Sequence, residues 1–246
     1  MDIQLLSKNK DKISFLIKGT NHAYVNTLRR LMSAEVPVLA IEDVSFIKNN
    51  SILYDEMVAH RLGLVSLKTD SGMDEKSEVK FTLKAKGPGY VYASDLKTTD
   101  KKCKAVFPKT PIVKLLDKQE MQLDATAIMG RGLEHVKWSP GTMFSVEEPK
   151  LNINNKSADF EKFKDKYPEA AFNKKGELDE KEILKNNLVD ACDGVNDEIL
   201  SVEYNNENFI FNVETWGQLS CDEIVKGAVD QFNERLTELA KLLKAK

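Results

Sequence analysis

Two adjacent arginines stand beside an asparagine near the start of the chain. Asn26, Arg29 and Arg30 are spaced so that one face of a helix would carry all three side chains, together with Ser33. A guanidinium fork forms paired hydrogen bonds with phosphate or carboxylate groups and also binds carbonyl oxygens. This donor face could therefore recognise a phosphate, a nucleic-acid backbone or another protein, and the plain alternative is a solvated helix surface.

Arginine is scarce in this sequence. It supplies only five of the 36 positively charged residues, and lysine supplies the others. Because lysine is the general-purpose charge here, each arginine can mark a position where the planar fork is needed. The five arginines are Arg29, Arg30, Arg61, Arg131 and Arg235.

No catalytic constellation is evident. The three histidines, His22, His60 and His135, have neither the H-E-x-x-H spacing nor a cysteine pair nearby. We interpret His60 as a hydrogen-bonded structural residue rather than a metal ligand. No Walker-type loop occurs, and the glycine-rich turn over residues 130–132 lacks the strand and helix of a phosphate cradle. We expect no catalytic residue in this chain.

Charge and apolar content narrow the class of protein. The 246 residues carry a formal net charge of −3, whereas a domain that binds DNA alone has a basic surplus. No apolar run reaches the roughly 18–20 residues of a membrane span, and the first residues do not resemble a secretory signal. We expect no direct DNA binding, no membrane contact and a cytoplasmic location.

The cysteines do not suggest a metal site. Cys103, Cys192 and Cys221 are odd in number and far apart in the sequence. They fit neither a disulfide framework nor a C-x-x-C knuckle. We expect no metal and no cofactor.

A hairpin and a helix would position the donor face. Strands over residues 3–6 and 13–17 are joined by a polar turn. A helix over 22–35 follows, capped by Thr20 or Asn21 and ended by Pro37. Its apolar stripe contains Val25, Leu28 and Met32.

The middle of the chain is predicted to be mostly β. It contains, in order, a strand over 38–47, a short helix over 55–62 with Gly63 as its terminating residue, and a hairpin of strands over 78–85 and 90–93. Residues 150–197 are more charged and predict a small helical insert. One helix would carry Phe160, Phe163 and Tyr167, and a second Ile183, Leu184 and Leu188. Two further strands, over 199–204 and 209–213, follow the insert.

The last helix has the clearest pattern. Ser220 and Glu223 form a capping box at its start. Apolar residues then recur at alternating steps of four and three, the spacing of a helix–helix seam. The seam residues are Val225, Val229, Phe232, Leu236, Leu239 and Leu243. Ile224, Ala228 and Leu242 widen the stripe, which suits a helix that packs on its own sheet and also meets a partner. An ordinary amphipathic helix buried in its own domain is the alternative.

The chain ends are predicted to form one domain. Residues 1–37 and 198–246 are each too small for a core, but together they make a four-stranded antiparallel sheet with two helices. Residues 38–149 would then be an inserted, mostly β second domain, and 150–197 a further small helical insert. The fold class is α+β.

Several segments in series resemble one family, the assembly subunits of multisubunit RNA polymerases. That family includes archaeal members, the N-terminal domain of bacterial alpha and the third-largest subunit of eukaryotic RNA polymerase II, and the archaeal members are the most similar. The segments are NTLRRLM (26–32) with EVP (35–37), DEMVAHRLGL (55–64), YASDL (92–96) and GLEHVKWSP (132–140).

The resemblance implies a partner for each surface. The discontinuous domain would pair with subunit L, and the heterodimer would recruit the small subunits N and P. Asn26, Arg29, Arg30, His60 and Arg61 would contact the second-largest catalytic subunit. The nucleotidyl-transfer site of the enzyme would lie in the largest subunit, so this chain would be a part of a DNA-directed RNA polymerase without catalysing the reaction.

The sequence departs from the family in the insert. Some archaeal members hold an iron–sulfur cluster in a ferredoxin-like domain here, but residues 150–197 contain only Cys192. One thiolate cannot replace four ligands, so we expect a ferredoxin-like insert without a cluster. The alternative function is a free-standing protein- or nucleic-acid-binding module on the same fold.

Overall fold

The computed structural model describes residues 1–70, 72–74 and 76–244. Within these residues the strands are β1 (Asp2–Lys8), β2 (Lys12–Lys18), β3 (Val38–Asn49), β4 (Glu78–Lys86), β5 (Gly89–Tyr92), β6 (Lys97–Thr98), β7 (Pro111–Leu115), β8 (Glu120–Gly130), β9 (Gly141–Ile153) and β10 (Leu200–Thr215). The helices are α1 (His22–Ala34), α2 (Asp55–Gly63), α3 (Phe160–Phe163), α4 (Glu180–Lys185), α5 (Val189–Cys192) and α6 (Cys221–Lys244).

The strands form three sheets. Their orders are β1-β2-β10-β9, β3-β8-β4-β6 and β5-β7. All pairs in the second and third sheets are antiparallel. The mixed α and β class with antiparallel sheets is therefore confirmed. Among the described residues, no helix combines the length and apolar character needed to cross a bilayer.

The chain divides into two compact units. The insert unit contains residues 1–4, 16–22 and 146–210, and the main unit contains 5–15, 23–145 and the chain from Phe211 onward. The domain boundaries at residues 37, 149 and 197 stay a prediction.

The main unit has a continuous apolar core between its central sheet and α2. In β4, Val79, Phe81 and Leu83 are buried while Lys80 and Thr82 between them are exposed, because alternate side chains of a strand face opposite sides of the sheet. Val58 and Leu62 of α2 belong to the same buried cluster. This core fixes the position of α2 on the sheet.

The insert unit has a smaller core. Its buried residues are Leu151, Phe160, Tyr167, Ala171, Leu178, Ile183, Cys192, Ile199 and Leu200. Phe163 and Leu188 pack against them, but Leu184 is 40% exposed. The helices here are only four to six residues long, and Tyr167 follows the first of them in extended backbone. Of the apolar residues that the sequence placed on two helices, all except Leu184 thus belong to this core or pack against it, while the predicted single helix over Phe160–Tyr167 is wrong.

The prediction of two strands at 199–204 and 209–213 is wrong, because β10 continues through the asparagine-rich segment between them. Neighbouring chain segments hold this stretch extended. The Glu207 carbonyl accepts a hydrogen bond from the Thr20 amide at 3.0 Å, and Asn208 donates to Glu148 at 2.7 Å. Tertiary pairing thus overrides the low strand propensity of asparagine.

The predicted hairpin of β4 and β5 is also wrong. β4 pairs with β8 and β6, whereas β5 pairs with β7 in a separate sheet. The Gly87 amide donates to the Gln119 carbonyl at 2.8 Å, and a side chain at Gly87 would collide with the Leu116 carbonyl. The connection therefore packs on the β7–β8 turn instead of folding β5 back along β4.

The short helix α2 ends differently from the prediction. Gly63 is its last helical residue, not a left-handed residue beyond it. The amide of Leu64, in right-handed helical backbone, donates to the His60 carbonyl and closes the last turn.

Candidate partner-binding surfaces

The start of α6 is fixed by the predicted capping box. The Ser220 amide donates to the Glu223 carboxylate at 2.8 Å, and the Glu223 amide donates to the Ser220 hydroxyl at 3.3 Å. These bonds satisfy amides that lack partners in the first turn of any helix. The capping box is confirmed, and it sets the rotational position of the residues that follow.

The apolar residues of α6 divide into a buried set and an exposed set. Cys221, Ile224 and Ala228 are buried in the main unit. Gly227 faces Val36, and a Cβ there would lie 3.3 Å from a Val36 methyl. The exposed set contains Val229 at 43%, Leu236 at 48%, Leu239 at 53%, Leu242 at 65% and Leu243 at 69%. We call this exposed set the α6 stripe.

Two of the predicted seam residues are partly covered by the chain itself. Val225 and Phe232 are half-buried. The rings of Phe232 and Tyr24 of α1 meet edge to face with centroids 6.4 Å apart. Phe232 therefore joins α6 to α1, and the seam is exposed mainly from Leu236 onward.

The donor face of α1 lies opposite buried residues, as predicted. Val25, Leu28, Leu31 and Met32 are buried. Asn26 accepts hydrogen bonds from Arg29 at 2.9 Å and 3.2 Å, while Asn26 and Arg30 are exposed. The asparagine thus holds the Arg29 guanidinium against the helix, and the fork of Arg30 projects without an ion pair among the described residues.

A buried carboxylate joins α1, α6 and the segment after β8. Glu35 is 9% exposed. Its two oxygens bind Arg131 at 3.2 Å and Arg235 of α6 at 2.6 Å. A buried carboxylate is stable only when it is paired and hydrogen-bonded, so the two arginines fix the end of α1. The sequence did not reveal this cluster, although the scarcity of arginine marked two of its three members.

The segment after β8 packs on the end of α1. The Leu133 amide donates to the Ala34 carbonyl at 3.0 Å, and a side chain at Gly132 would collide with the Ser33 carbonyl. Leu133 and Val136 are nevertheless 68% and 71% exposed. An apolar surface therefore adjoins the donor face.

The end of α2 also reaches this segment. Lys137 donates to the Ile41 carbonyl at 3.1 Å and pairs with Glu42, and its side chain would lie 3.9 Å from a Cβ at Gly63. Within the main unit, these contacts link α2 to the segment that packs on α1. The donor face, Leu133, Val136 and the end of α2 thus form one connected surface.

His60 and Arg61 differ in their surroundings. The His60 side chain is exposed and forms no hydrogen bond with any residue that the structure describes. The interpretation of His60 as a hydrogen-bonded structural residue is therefore wrong. Arg61 donates to the Pro111 carbonyl at 3.1 Å and is otherwise exposed. Leu62, the residue that follows, is fully buried.

The cysteines do not fit an iron–sulfur centre. Cys192 lies in the apolar core of the insert unit, and Cys103 lies in the core of the main unit. Burial raises the pKa of the Cys103 thiol to about 11, and it also raises the pKa of the Cys192 and Cys221 thiols, because a thiolate is costly in apolar surroundings. A cluster needs several thiolates at one place, which the insert cannot supply.

In the described part of the chain, no group of three or more histidine, cysteine or carboxylate side chains has a metal-binding arrangement. The chemistry of the surfaces described above is that of recognition, by guanidinium forks on α1 and by apolar area on α6.

Comparison with known proteins agrees with this geometry. The model of the RNA polymerase Rpb3/Rpb11 dimerisation domain matches residues 14–236. The chain is 35% identical to DNA-directed RNA polymerase subunit Rpo3 of Pyrococcus horikoshii, over 97% of this chain and 98% of the relative. It is 30% identical to DNA-directed RNA polymerase subunit Rpo3 of Methanobrevibacter smithii, over 96% of this chain and 95% of the relative. The chain therefore belongs to the family of RNA polymerase subunits that share the Rpb3/Rpb11 dimerisation domain.

Proposed function

We propose that this chain is an assembly subunit of an archaeal DNA-directed RNA polymerase and has no catalytic residues of its own. Family membership and the match along nearly the whole length of the Rpo3 relatives support the role in transcription. The chain would serve the nucleotidyltransferase as a platform, with the chemistry performed by the large subunits.

The observation that carries this proposal is the α6 stripe. Four leucines and a valine are between 43% and 69% exposed on one helix. A contiguous apolar surface is costly in water and marks an interaction site. The stripe follows the spacing of a helix–helix seam, so its partner is a helix of the smaller subunit, which by family resemblance is subunit L.

A second surface would bind the second-largest subunit. The donor face of α1 supplies Asn26, Arg29 and Arg30, and the end of α2 supplies His60 and Arg61. Guanidinium forks and exposed apolar residues at Leu133 and Val136 suit a protein surface with carboxylates or carbonyls. A net charge of −3 disfavours DNA as the ligand.

The remaining roles follow the family pattern. The heterodimer would recruit the small subunits N and P before the large subunits join. The chain ends would form the dimerisation domain around an inserted second domain. The insert over residues 150–197 would be a ferredoxin-like remnant held by its own apolar core instead of a cluster. The cytoplasm would be its location.

Co-expression tests the proposal. We expect the full chain and an L-type subunit to purify together, with native mass measurement giving one copy of each. The chain expressed alone should self-associate or precipitate through the α6 stripe. A chain that remains monomeric alone and does not retain the L-type subunit would contradict the proposal and favour a free-standing binding module.

A further inference from the structure

The strand β3 lies at one edge of the central sheet of the main unit, which has the order β3-β8-β4-β6. One side of β3 pairs with β8, and its other side faces no strand in the described part of the chain. An edge strand presents amides and carbonyls with which a further strand can pair. Proteins usually cover or blunt such edges, and the two halves of β3 differ in this respect.

The first half of the β3 edge is closed by the chain itself. Residues 38–41 are buried. The Leu39 amide donates to the Thr69 hydroxyl at 3.0 Å, and the Ile41 carbonyl accepts a hydrogen bond from the Lys137 ammonium at 3.1 Å. Both bonds lie outside the ladder with β8, so the backbone groups of Leu39 and Ile41 point away from β8.

The second half of the edge is open. In an antiparallel ladder the amide and carbonyl of one residue point to the same side, and successive residues alternate. The bulge between Ile41 and Asp43 adds one residue to β3. This shifts the alternation, so the residues that face away from β8 after the bulge are Val44 and Phe46. No described residue forms a hydrogen bond with the backbone of Val44 or Phe46 on that side, and Asp43 and Ser45 are exposed.

The side chains of Val44 and Phe46 lie on the same side of the sheet as α2. Both pack against the buried cluster that contains Val58 and Leu62 of α2. A residue that pairs with Val44 or Phe46 from a neighbouring strand projects its side chain on that same face. A strand added at this edge would therefore have one row of side chains beside α2.

Exposed apolar side chains follow the open half of the edge. Asn49 donates to the Leu53 carbonyl at 3.0 Å and to the Asp55 carboxylate at 2.7 Å, which ties the start of α2 to the end of β3. The exposed apolar residues of this connection are Ile47 at 58%, Ile52 at 76%, Tyr54 at 79% and Met57 at 51%. Apolar area beside an unpaired strand edge is typical of an interaction site.

We propose that the open half of the β3 edge binds an extended segment of another protein chain, which pairs with the backbone of Val44 and Phe46 as a short added strand. The segment has apolar side chains at alternate positions, on the side of α2. This contact is additional to the α6 stripe and the donor face.

A second copy of β3 fits this edge less well than an extended segment does. Bulges lie on both sides of residues 44–46, between Ile41 and Asp43 and between Phe46 and Lys48. Bulges twist the edge and prevent the flat pairing of two folded sheets. An extended segment that is not part of a sheet can follow the twist over the few residues that are open.

Peptides with a modified backbone test the proposal on the full-length chain. The probe is a fluorescein-labelled, blocked octapeptide in which three threonine–valine pairs are flanked by lysines, and fluorescence anisotropy measures its binding. Because the valine side chains take the α2 side, the valine amides are the ones that face β3. N-methylation of the valine amides should abolish saturable binding, since a methylated amide cannot donate. N-methylation of the threonine amides, which point away from β3, should change the Kd by less than about twofold.

A pair of variants tests the same bond from the side of the chain. Val44→Pro removes the amide that faces away from β8 and no bond of the β3–β8 ladder, so it should weaken binding of the unmethylated peptide by about tenfold. The matched control Val44→Ala keeps the amide and should bind the peptide normally. Thermal unfolding shows whether each variant is folded, and the methylated peptides test the unchanged chain in either case.

Four results would each overturn the proposal. They are no saturable binding of the unmethylated peptide, equal binding of the valine-methylated and threonine-methylated peptides, undiminished affinity in folded Val44→Pro, and a dimer of the chain that Val44→Pro dissociates while Val44→Ala does not. The last result would assign the edge to a second copy of β3.

Discussion

The α6 stripe and the donor face of α1 are two exposed surfaces of one unit, but they are built differently. The stripe is a row of exposed apolar side chains on a helix that is joined to α1 by the ring contact of Phe232 with Tyr24. The donor face has Arg29 oriented by Asn26 and rests on a helix whose end is tied by Glu35. Apolar area gives association strength without precise geometry, whereas guanidinium recognition depends on orientation. In the proposed function, this difference matches a stripe that drives dimerisation and a donor face that selects a later partner.

The largest effect is expected at the stripe. Leu236→Asp would bury a charge against the partner helix, at a cost of several kcal/mol, so the L-type subunit should no longer co-purify. Phe232→Asp should have the same effect but would also disturb the contact with Tyr24. The control Thr237→Asp adds the same charge at an adjacent exposed position of α6. Normal heterodimer formation by folded Leu236→Asp protein would show that the stripe is not the interface.

The next largest effect is expected at the donor face. Arg29→Ala and Arg30→Ala should each weaken binding of the second-largest subunit by about 2–5 kcal/mol if the contact is desolvated. The heterodimer should form normally, and a pull-down with the purified heterodimer measures both steps. Arg30→Lys keeps the charge and loses the fork. Binding of the second-largest subunit by Arg30→Lys at the original affinity would mean that the charge alone matters. Loss of the heterodimer in the alanine variants would show that the donor face and the α6 stripe are not separate binding surfaces.

A smaller effect is expected where the two surfaces meet. In Glu35→Gln one oxygen becomes an NH₂ donor, so one of the two arginines loses its acceptor. The free energy of unfolding should fall by about 1–3 kcal/mol, as measured by urea denaturation. Glu238→Gln at an exposed position of α6 should change it by less than about 0.5 kcal/mol. Equal free energies of unfolding for the two variants would show that the ion pairs of Glu35 do not stabilise the chain.

The smallest expected effect is on metal content. Anaerobically purified protein should lack the visible absorbance of an iron–sulfur centre, and elemental analysis should find no stoichiometric iron or zinc. Cys192→Ser should leave these results unchanged, although burial of a hydroxyl in the insert core should lower stability. One equivalent of bound metal that is lost in Cys192→Ser would contradict the cluster-less insert.

The sequence predicted the elements that depend on local patterns. The apolar spacing of α1 and the capping box of α6 agree with the structure because helix faces and caps are set by residues three or four apart. The continuity of β10 through its asparagines and the separation of β4 from β5 were missed. Both depend on partners distant in the sequence, such as β8 for β4.

The two partner-binding surfaces, like the secondary-structure elements, were predicted from the sequence only in part. The donor face and the apolar stripe were evident from spacing, but the burial of Ile224 and Ala228 beside the exposed Leu236 needed the structure. The Glu35 cluster joins residues 96 positions apart and has no local pattern. The scarcity of arginine was the only sequence feature that pointed to this cluster, and it did not identify Glu35 as the carboxylate that the arginines bind.

Hydrogen exchange tests the central claim, that α6 and α1 serve different partners, most directly. It is measured on the chain alone, with the L-type subunit, and with the second-largest subunit added. Binding slows exchange by suppressing local opening. We predict that residues 229–243 gain protection in the heterodimer while residues 26–33 do not, and that residues 26–33 gain it only when the second-largest subunit binds. Unchanged exchange of residues 229–243 in a purified heterodimer would contradict the account.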